Sequence, residues 1–318
     1  MAYTEQEART LIIKAGQRLL EEKLIARTWG NISARISDTQ YIITPSGRAY
    51  DTLHPEDLVK VNIKGESYEG RYKPSSEKGV HTAAYQLRKD VDFVIHTHQF
   101  YASAVCAEEV DTLFAPCAPY GLPGSKKLKK AVARTIRDNP QNKAFLMARH
   151  GALCLGKDYD DAFAVVEKLE SQCKTLFDAR VPVGRQVYDG SFAIDKIRDI
   201  PCLRWETDPV TLEWSRRGTP LRPYIDDFAQ MVGYRAPVCK AVPRIATRLL
   251  KRHNAVVLAD NGAVCTADTA DDALAVGMIV QKNCAAALYA ASSRPLPMAD
   301  ALRQRRIYLK KYSKQKDA

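Results

Sequence analysis

No apolar run in the 318-residue sequence approaches the ~18 residues that a membrane-spanning helix needs, so a membrane protein is not expected. The N-terminal stretch MAYTEQEARTLIIKAG lacks the basic region followed by a continuous apolar block that marks a secretory signal, and a cytoplasmic location is expected. None of the eight cysteines (Cys106, Cys117, Cys154, Cys173, Cys202, Cys239, Cys265, Cys284) belongs to a C-x-x-C pair. A cysteine zinc knot or disulfide framework is therefore not expected, and reduced thiols packed as small hydrophobes are. No zinc-finger or RNA-recognition signature is present. Histidine is scarce, with only six, so each can be weighed individually.

The composition that remains is globular: 46% hydrophobic and 27% charged residues exclude disorder and fibrous structure. The net charge of +11 is partly local, in KKLKK at 126–130 and in the tail RQRRIYLKKYSKQ at 303–315. A solvated helix face and a loose basic terminus account for it, and nucleic acid is not an expected partner.

Hydrophobic spacing predicts an amphipathic helix over 4–25, with Thr4 and Glu7 as a capping box. Strands are expected at Ile32–Ile36, Tyr41–Thr44, Leu58–Ile63, Phe93–Thr97, Phe145–Ala148 and Ala152–Leu155. Helices are expected at 76–88, 99–108, 125–138 and 158–179. This mixture argues α/β, and short turns between strand pairs suggest a largely antiparallel sheet.

Residues 181–215 show weak periodicity and read as an irregular linker. A repeat follows. Ala144–Ala179 aligns without gaps to Ala255–Ala290, with about a dozen identities that include Gly151/Gly262, Cys154/Cys265 and Cys173/Cys284. The expected organisation is a catalytic domain over 1–180, the linker 181–215, a degenerate half-repeat over 216–300 and a basic tail over 301–318. Asn261 replaces His150 in the copy, so chemistry that needs His150 occurs once per chain.

His96-Thr97-His98 ends a strand, and residues two apart on a strand share a face, so both imidazoles can meet one ion. His150 precedes Gly151, where backbone can approach closely. Three nitrogens with one open position is a catalytic zinc pattern. Upstream, Pro74-Ser75-Ser76-Glu77 opens a helix. Its hydroxyls and unpaired N–H groups suit an anion, although simple N-capping explains them too. His81 reads as a packed helix histidine. Gly30-Asn31 and Thr44-Pro45-Ser46-Gly47 are ordinary turn formers that also supply small donors for phosphate.

Taken in order, Gly30-Asn31-Ile32-Ser33, Ile43-Thr44-Pro45-Ser46-Gly47, Pro74-Ser75-Ser76-Glu77 with His81, His96-Thr97-His98, Pro116-Cys117-Ala118-Pro119-Tyr120 and His150-Gly151 resemble the class II aldolase/adducin family from about residue 8 to 180. The resemblance implies an α/β/α sandwich with a central, mostly antiparallel sheet, and a homo-oligomer (tetramer or dimer). It implies one Zn2+ per chain, or another divalent transition metal, on His96, His98 and His150, with Glu77 as acid/base and additional ligand. It places Gly30, Asn31, Ser46, Gly47, Ser75 and Ser76 around the phosphate of a sugar substrate. The implied reaction is aldol cleavage of a ketose-1-phosphate to dihydroxyacetone phosphate and an aldehyde. The tyrosine-bearing, Gly-rich segment of the family's sugar-phosphate aldolases has no counterpart between Cys106 and Tyr120. A sugar-phosphate epimerase, a dehydratase and a non-catalytic adducin-like scaffold are the alternatives. The family's epimerases have Asp where Glu77 stands, and the scaffold lacks the metal set.

Overall fold

The Thr4–Glu7 capping box forms as its sequence requires and starts α1 (Glu5–Glu21) in the computed structural model, which describes residues 2–25, 29–184 and 192–312. The chain divides into two compact units, with the boundary between Lys174 and Thr175.

The first unit carries β1 (Asn31–Arg35), β2 (Gln40–Ile43), β3 (Val59–Asn62), β4 (Tyr68–Glu69), α2 (Lys78–Leu87), β5 (Phe93–Thr97), α3 (Phe100–Cys106), β6 (Cys117–Ala118), α4 (Lys126–Asp138), β7 (Ala144–Met147) and β8 (Gly151–Gly156). α5 (Tyr159–Arg180) runs across the boundary. The eight strands form one sheet in the order β4-β3-β2-β1-β5-β8-β7-β6. Every pair is antiparallel except β6 with β7. The expected mixed α/β architecture with a mostly antiparallel sheet is thus the observed one.

Alternation along the strands sorts the core. Tyr41, Ile43, Val59, Val61, Val94, Phe145, Met147, Leu153 and Leu155 face Val80, Ala84 and Tyr85 of α2 and Leu128, Val132 and Ile136 of α4. On the opposite face, Phe93 meets the rings of Tyr3 and Tyr159. Helices therefore cover both sides of the sheet. The basic run 126–130 begins α4, with Ser125 as its cap and Leu128 buried, so the lysines around it stay solvated.

The second unit holds β9 (Arg204–Glu206), α6 (Pro209–Ser215), α7 (Asp226–Met231), β10 (Val238–Cys239), α8 (Pro243–Leu250), β11 (Ala255–Leu258), β12 (Ala263–Cys265), α9 (Ala270–Tyr289) and α10 (Met298–Ile307). Its sheet has the order β10-β11-β12-β9. β9 and α6 lie inside the stretch expected to be an irregular linker. Asp208 accepts from the N–H groups of Val210 and Thr211, and Pro209 occupies the first helical turn, so α6 starts on a complete N-terminal signal despite its short length. The expected tail 301–318 is helical through Ile307 and continues as a π turn over Tyr308–Tyr312; residues 313–318, and 185–191 of the expected linker, lie outside the described residues. All eight cysteines are free thiols, and six are buried. No described helix is long and apolar enough to cross a membrane.

Candidate metal centre and active site

His96 and His98 leave the end of β5 on the same face, as strand alternation demands. His96 is fully buried, and its Nδ1 lies 2.8 Å from the carbonyl oxygen of Ala152 on the neighbouring strand β8. A carbonyl only accepts, so Nδ1 carries the proton and Nε2 presents its lone pair.

His150 reaches the same place from the turn between β7 and β8. Arg149 takes φ 60° there, and its guanidinium pairs with Glu109. At Gly151 a Cβ would collide with the Thr97 carbonyl oxygen, so glycine alone lets β8 begin this close to the end of β5.

Glu77 occupies the N-cap position of α2 but makes no side-chain cap. Its carboxylate faces the imidazoles instead. Oε2 lies 3.1 Å from His96 Nε2 and Oε1 lies 3.0 Å from His150 Nε2. His98 Nε2 is 2.9 Å from His96 Nε2. One ligand atom from each of Glu77, His96, His98 and His150 falls within 4.8 Å of the others, and all four residues are buried. The His96 and His150 rings are stacked, with centroids 5.0 Å apart and planes at 10°.

This donor set fits a divalent ion. The lone pair of His96 Nε2 points at a carboxylate oxygen in a dry pocket, which is repulsive unless a cation lies between them. Three nitrogens and one carboxylate suit zinc or a similar transition ion better than the oxygen-loving calcium or magnesium. Burial pushes the Glu77 carboxyl up, but His150 and His96, when they carry a proton in place of an ion, override this and hold it well below the usual carboxylate range.

The expected phosphate-binding residues gather from three loops. Gly30 takes φ +79°, and a Cβ there would lie 2.6 Å from the His96 carbonyl oxygen. The next residue, Asn31, pairs across from His96 in the sheet. Its Nδ2 donates to Glu77 Oε2 at 3.3 Å. Ser75 Oγ accepts from the Glu77 N–H at 3.2 Å, and the Ser75 N–H donates to the Thr44 carbonyl at 3.0 Å. The Ser46 N–H donates to Lys73, and a bridge joins Pro45 to Pro74, so Ser46 and Gly47 run beside Ser75. Ser76 is exposed. It lines a cavity of about 320 Å3 together with Glu77, Gly124, Ser125, Glu66 and the lysines 78, 126, 129 and 130. Glu66 bridges Lys78 at 2.5 Å and also pairs with Lys129.

The sequence places His81 with the Glu77 motif, but as a packed helix histidine with no role in this site. In the structure His81 lies between Ser33 and Asn31, 2.6 and 2.5 Å from their side chains. The available signal was the pair of spacings Asn31-x-Ser33 on a strand and His81-x-x-x-Tyr85 on a helix, which put two polar groups on each facing surface.

Residues 10–177, just over half of the chain, match the family described as Class II Aldolase and Adducin N-terminal domain. The chain is 34% identical over 177 residues to a 5-deoxy-D-ribulose 1-phosphate aldolase of Bacillus thuringiensis serovar kurstaki, covering 52% of this chain and 82% of that protein. It is 31% identical over 173 residues to an L-fuculose phosphate aldolase of Methanocaldococcus jannaschii, covering 51% and 91%. A 3-oxo-tetronate 4-phosphate decarboxylase of Pectobacterium atrosepticum is 30% identical over 190 residues, covering 55% and 85%. Among solved structures, an L-fuculose 1-phosphate aldolase superimposes with a TM-score of 0.51 at 29% identity, covering 58% of this chain and 91% of that one. With a family match over 10–177 and the ordered motifs from Gly30 to Gly151 folded on a mostly antiparallel sheet, the chain belongs to the class II aldolase and adducin N-terminal domain family.

Proposed function

We propose that the chain is a zinc-dependent lyase that cleaves, and in reverse condenses, a phosphorylated ketose, giving dihydroxyacetone phosphate and an aldehyde. The observation that carries this reading is the convergence of Glu77, His96, His98 and His150 at one buried point. A zinc ion, or another divalent transition ion, held there supplies Lewis-acid stabilisation of the negative charge that builds as the C3–C4 bond breaks. Ala152 fixes the His96 tautomer through Nδ1, which keeps the Nε2 lone pair available. In the condensation direction Glu77 takes the proton from the carbon beside the carbonyl, and in cleavage it returns that proton to the same carbon. Gly30, Asn31, Ser46, Gly47, Ser75 and Ser76 supply small donors for the phosphate, with Asn31 also bonded to the carboxylate.

Relatives named decarboxylases give a second reading. Loss of carbon dioxide from a 3-oxo acid leaves the same kind of negative charge on carbon, and the same four side chains suit it. A non-catalytic scaffold would not require four buried ligand groups. The test is a panel of ketose phosphates and 3-oxo acid phosphates offered to the zinc-loaded protein. Release of dihydroxyacetone phosphate supports the first reading, carbon dioxide the second, and neither contradicts both. Glu77→Gln is expected to bind zinc, more weakly than the wild type, and to lose about 10²-fold or more in turnover. Full turnover in that variant contradicts the role given to Glu77.

The second unit is proposed to be a degenerate copy of the β5–α5 part of the first. Matched backbone bonds support this. His150 N–H to Met147 answers Asn261 N–H to Leu258, and Leu155 N–H to Lys143 answers Thr266 N–H to Asn254. Arg149 and Asp260 share φ near +60°. A Cβ on Gly151 would strike the Thr97 carbonyl, and one on Gly262 that of Glu206. The sheet register then sets Trp205, Thr207 and Asn261 where the first unit has His96, His98 and His150. The copy would begin at β9 rather than at residue 216, and among its described residues it carries no ligand set.

A further inference from the structure

We propose that His81 is a positioning residue, which acts through Asn31 to orient the Glu77 carboxylate. The inference rests on the reading of Glu77 as a metal ligand and proton carrier. It goes beyond that reading by assigning a role to three further buried residues: His81, Ser33 and Tyr85.

The chain of contacts has only one consistent direction. A carboxylate can only accept, so the Asn31 group 3.3 Å from Glu77 Oε2 is the amide nitrogen. The Asn31 carbonyl oxygen therefore faces His81 Nε2 at 2.5 Å, and Nε2 must donate. A neutral imidazole that donates from Nε2 accepts at Nδ1, so the Ser33 hydroxyl, 2.6 Å away, donates to Nδ1. The Ser33 oxygen then accepts from the Tyr85 hydroxyl at 2.8 Å. Four donors point the same way, from Tyr85 through Ser33, His81 and Asn31 to the carboxylate. His81, Ser33 and Tyr85 are fully buried and Asn31 nearly so, which removes water as a competing partner.

The scaffold explains the alignment. Asn31, Ser33 and Arg35 leave one face of β1, and His81 and Tyr85 are one turn apart on α2. Arg35 closes the far end, stacked 4.7 Å above the Tyr85 ring and bonded to the Tyr85, Arg88 and Val91 carbonyls. Burial also favours the neutral imidazole that the relay needs. Without the Nε2 donor, the Asn31 amide could turn over and set its own carbonyl oxygen against Glu77.

The test uses the full chain, with and without zinc, as wild type, His81→Gln and His81→Leu. Glutamine keeps an amide donor toward Asn31, whereas leucine fills space and donates nothing. In the metal-free wild type, imidazole 15N–1H correlation at neutral pH is expected to show His81 protonated at Nε2 alone. The Nδ1-protonated form or the imidazolium would overturn the proposal. Zinc affinity, read by chelator competition, is expected to fall about 10- to 100-fold in His81→Leu and to stay within about threefold of wild type in His81→Gln. Unchanged affinity in His81→Leu, or an equal loss in both variants, would overturn it. If His81→Leu does not fold, the wild-type tautomer and the His81→Gln affinity decide the matter. No turnover enters these readouts, so an inactive protein would count against the proposed reaction and not against the relay.

Discussion

Single residues decide what the centre can do, and His81 departs far from the ordinary behaviour of its type. Burial, with His96 adding and Glu77 opposing, pushes it down to about 3 from an ordinary 6.5. Between those values the unfolded chain binds a proton that the folded chain does not. Stability from this residue is therefore complete above about pH 6.5 and is lost progressively as acid is added. The slope corresponds to a few kcal/mol at most between pH 6.5 and 4. The urea midpoint of the wild type is expected to fall over that range and to fall less in His81→Gln; equal acid sensitivity in the two proteins would contradict the assignment. His96, His98 and His150 were legible in the sequence because spacing and a following glycine single them out. His81 was not, because a histidine on a helix looks the same whether it packs or relays, and only Ser33 and Asn31 opposite it tell the two apart.

At the scale of elements, two glycines set how closely the strands around the centre approach. Gly30 brings β1 against the His96 carbonyl, and Gly151 brings β8 against that of Thr97. Gly151→Ala must spread β8 from β5 and carry His150 away from Glu77. It is expected to cost about 1–3 kcal/mol in chemical denaturation, as overpacking does, and to weaken zinc binding as well. Loss of stability with unchanged zinc affinity would mean that His150 does not depend on that approach. Long elements with complete end signals could be read from the sequence: α1 from Thr4 and Glu7, α4 from Ser125, β5 from its β-branched run. The strands β4, β6 and β10 are two residues long, too short to establish a period. β9 escaped notice because Arg204–Glu206 gains its order from pairing with β12, and α6 because its start signal at Asp208-Pro209 opens a helix of only seven residues, too short to show a period.

For the whole molecule, the repeat and the centre give complementary expectations. Among the described residues the ligand set occurs once, in the first unit, and under the proposed alignment the second unit holds Trp205, Thr207 and Asn261 at those positions. Elemental analysis of zinc-loaded protein is expected to give one ion per chain, and His150→Ala to abolish stoichiometric loading; two ions in the wild type would point to a second set that the fold does not explain. An ion held by the folded ligand set stabilises the folded chain, so under this account chelation is expected to lower the thermal midpoint, and added zinc to raise it with concentration. Family membership was legible from ordered motifs in the first half of the sequence. The copy proposed for the second half keeps backbone features of the first without counterparts of His96, His98 and His150, so its identities carry no expectation of the same chemistry.

The central claim is that Glu77, His96, His98 and His150 hold one divalent ion together. Zinc-edge X-ray absorption of the full chain loaded with one equivalent of zinc tests it most directly. The account expects a shell of three imidazole nitrogens and carboxylate oxygen at about 2.0–2.2 Å. A shell of oxygen alone, or one containing thiolate sulfur at about 2.3 Å, would contradict it.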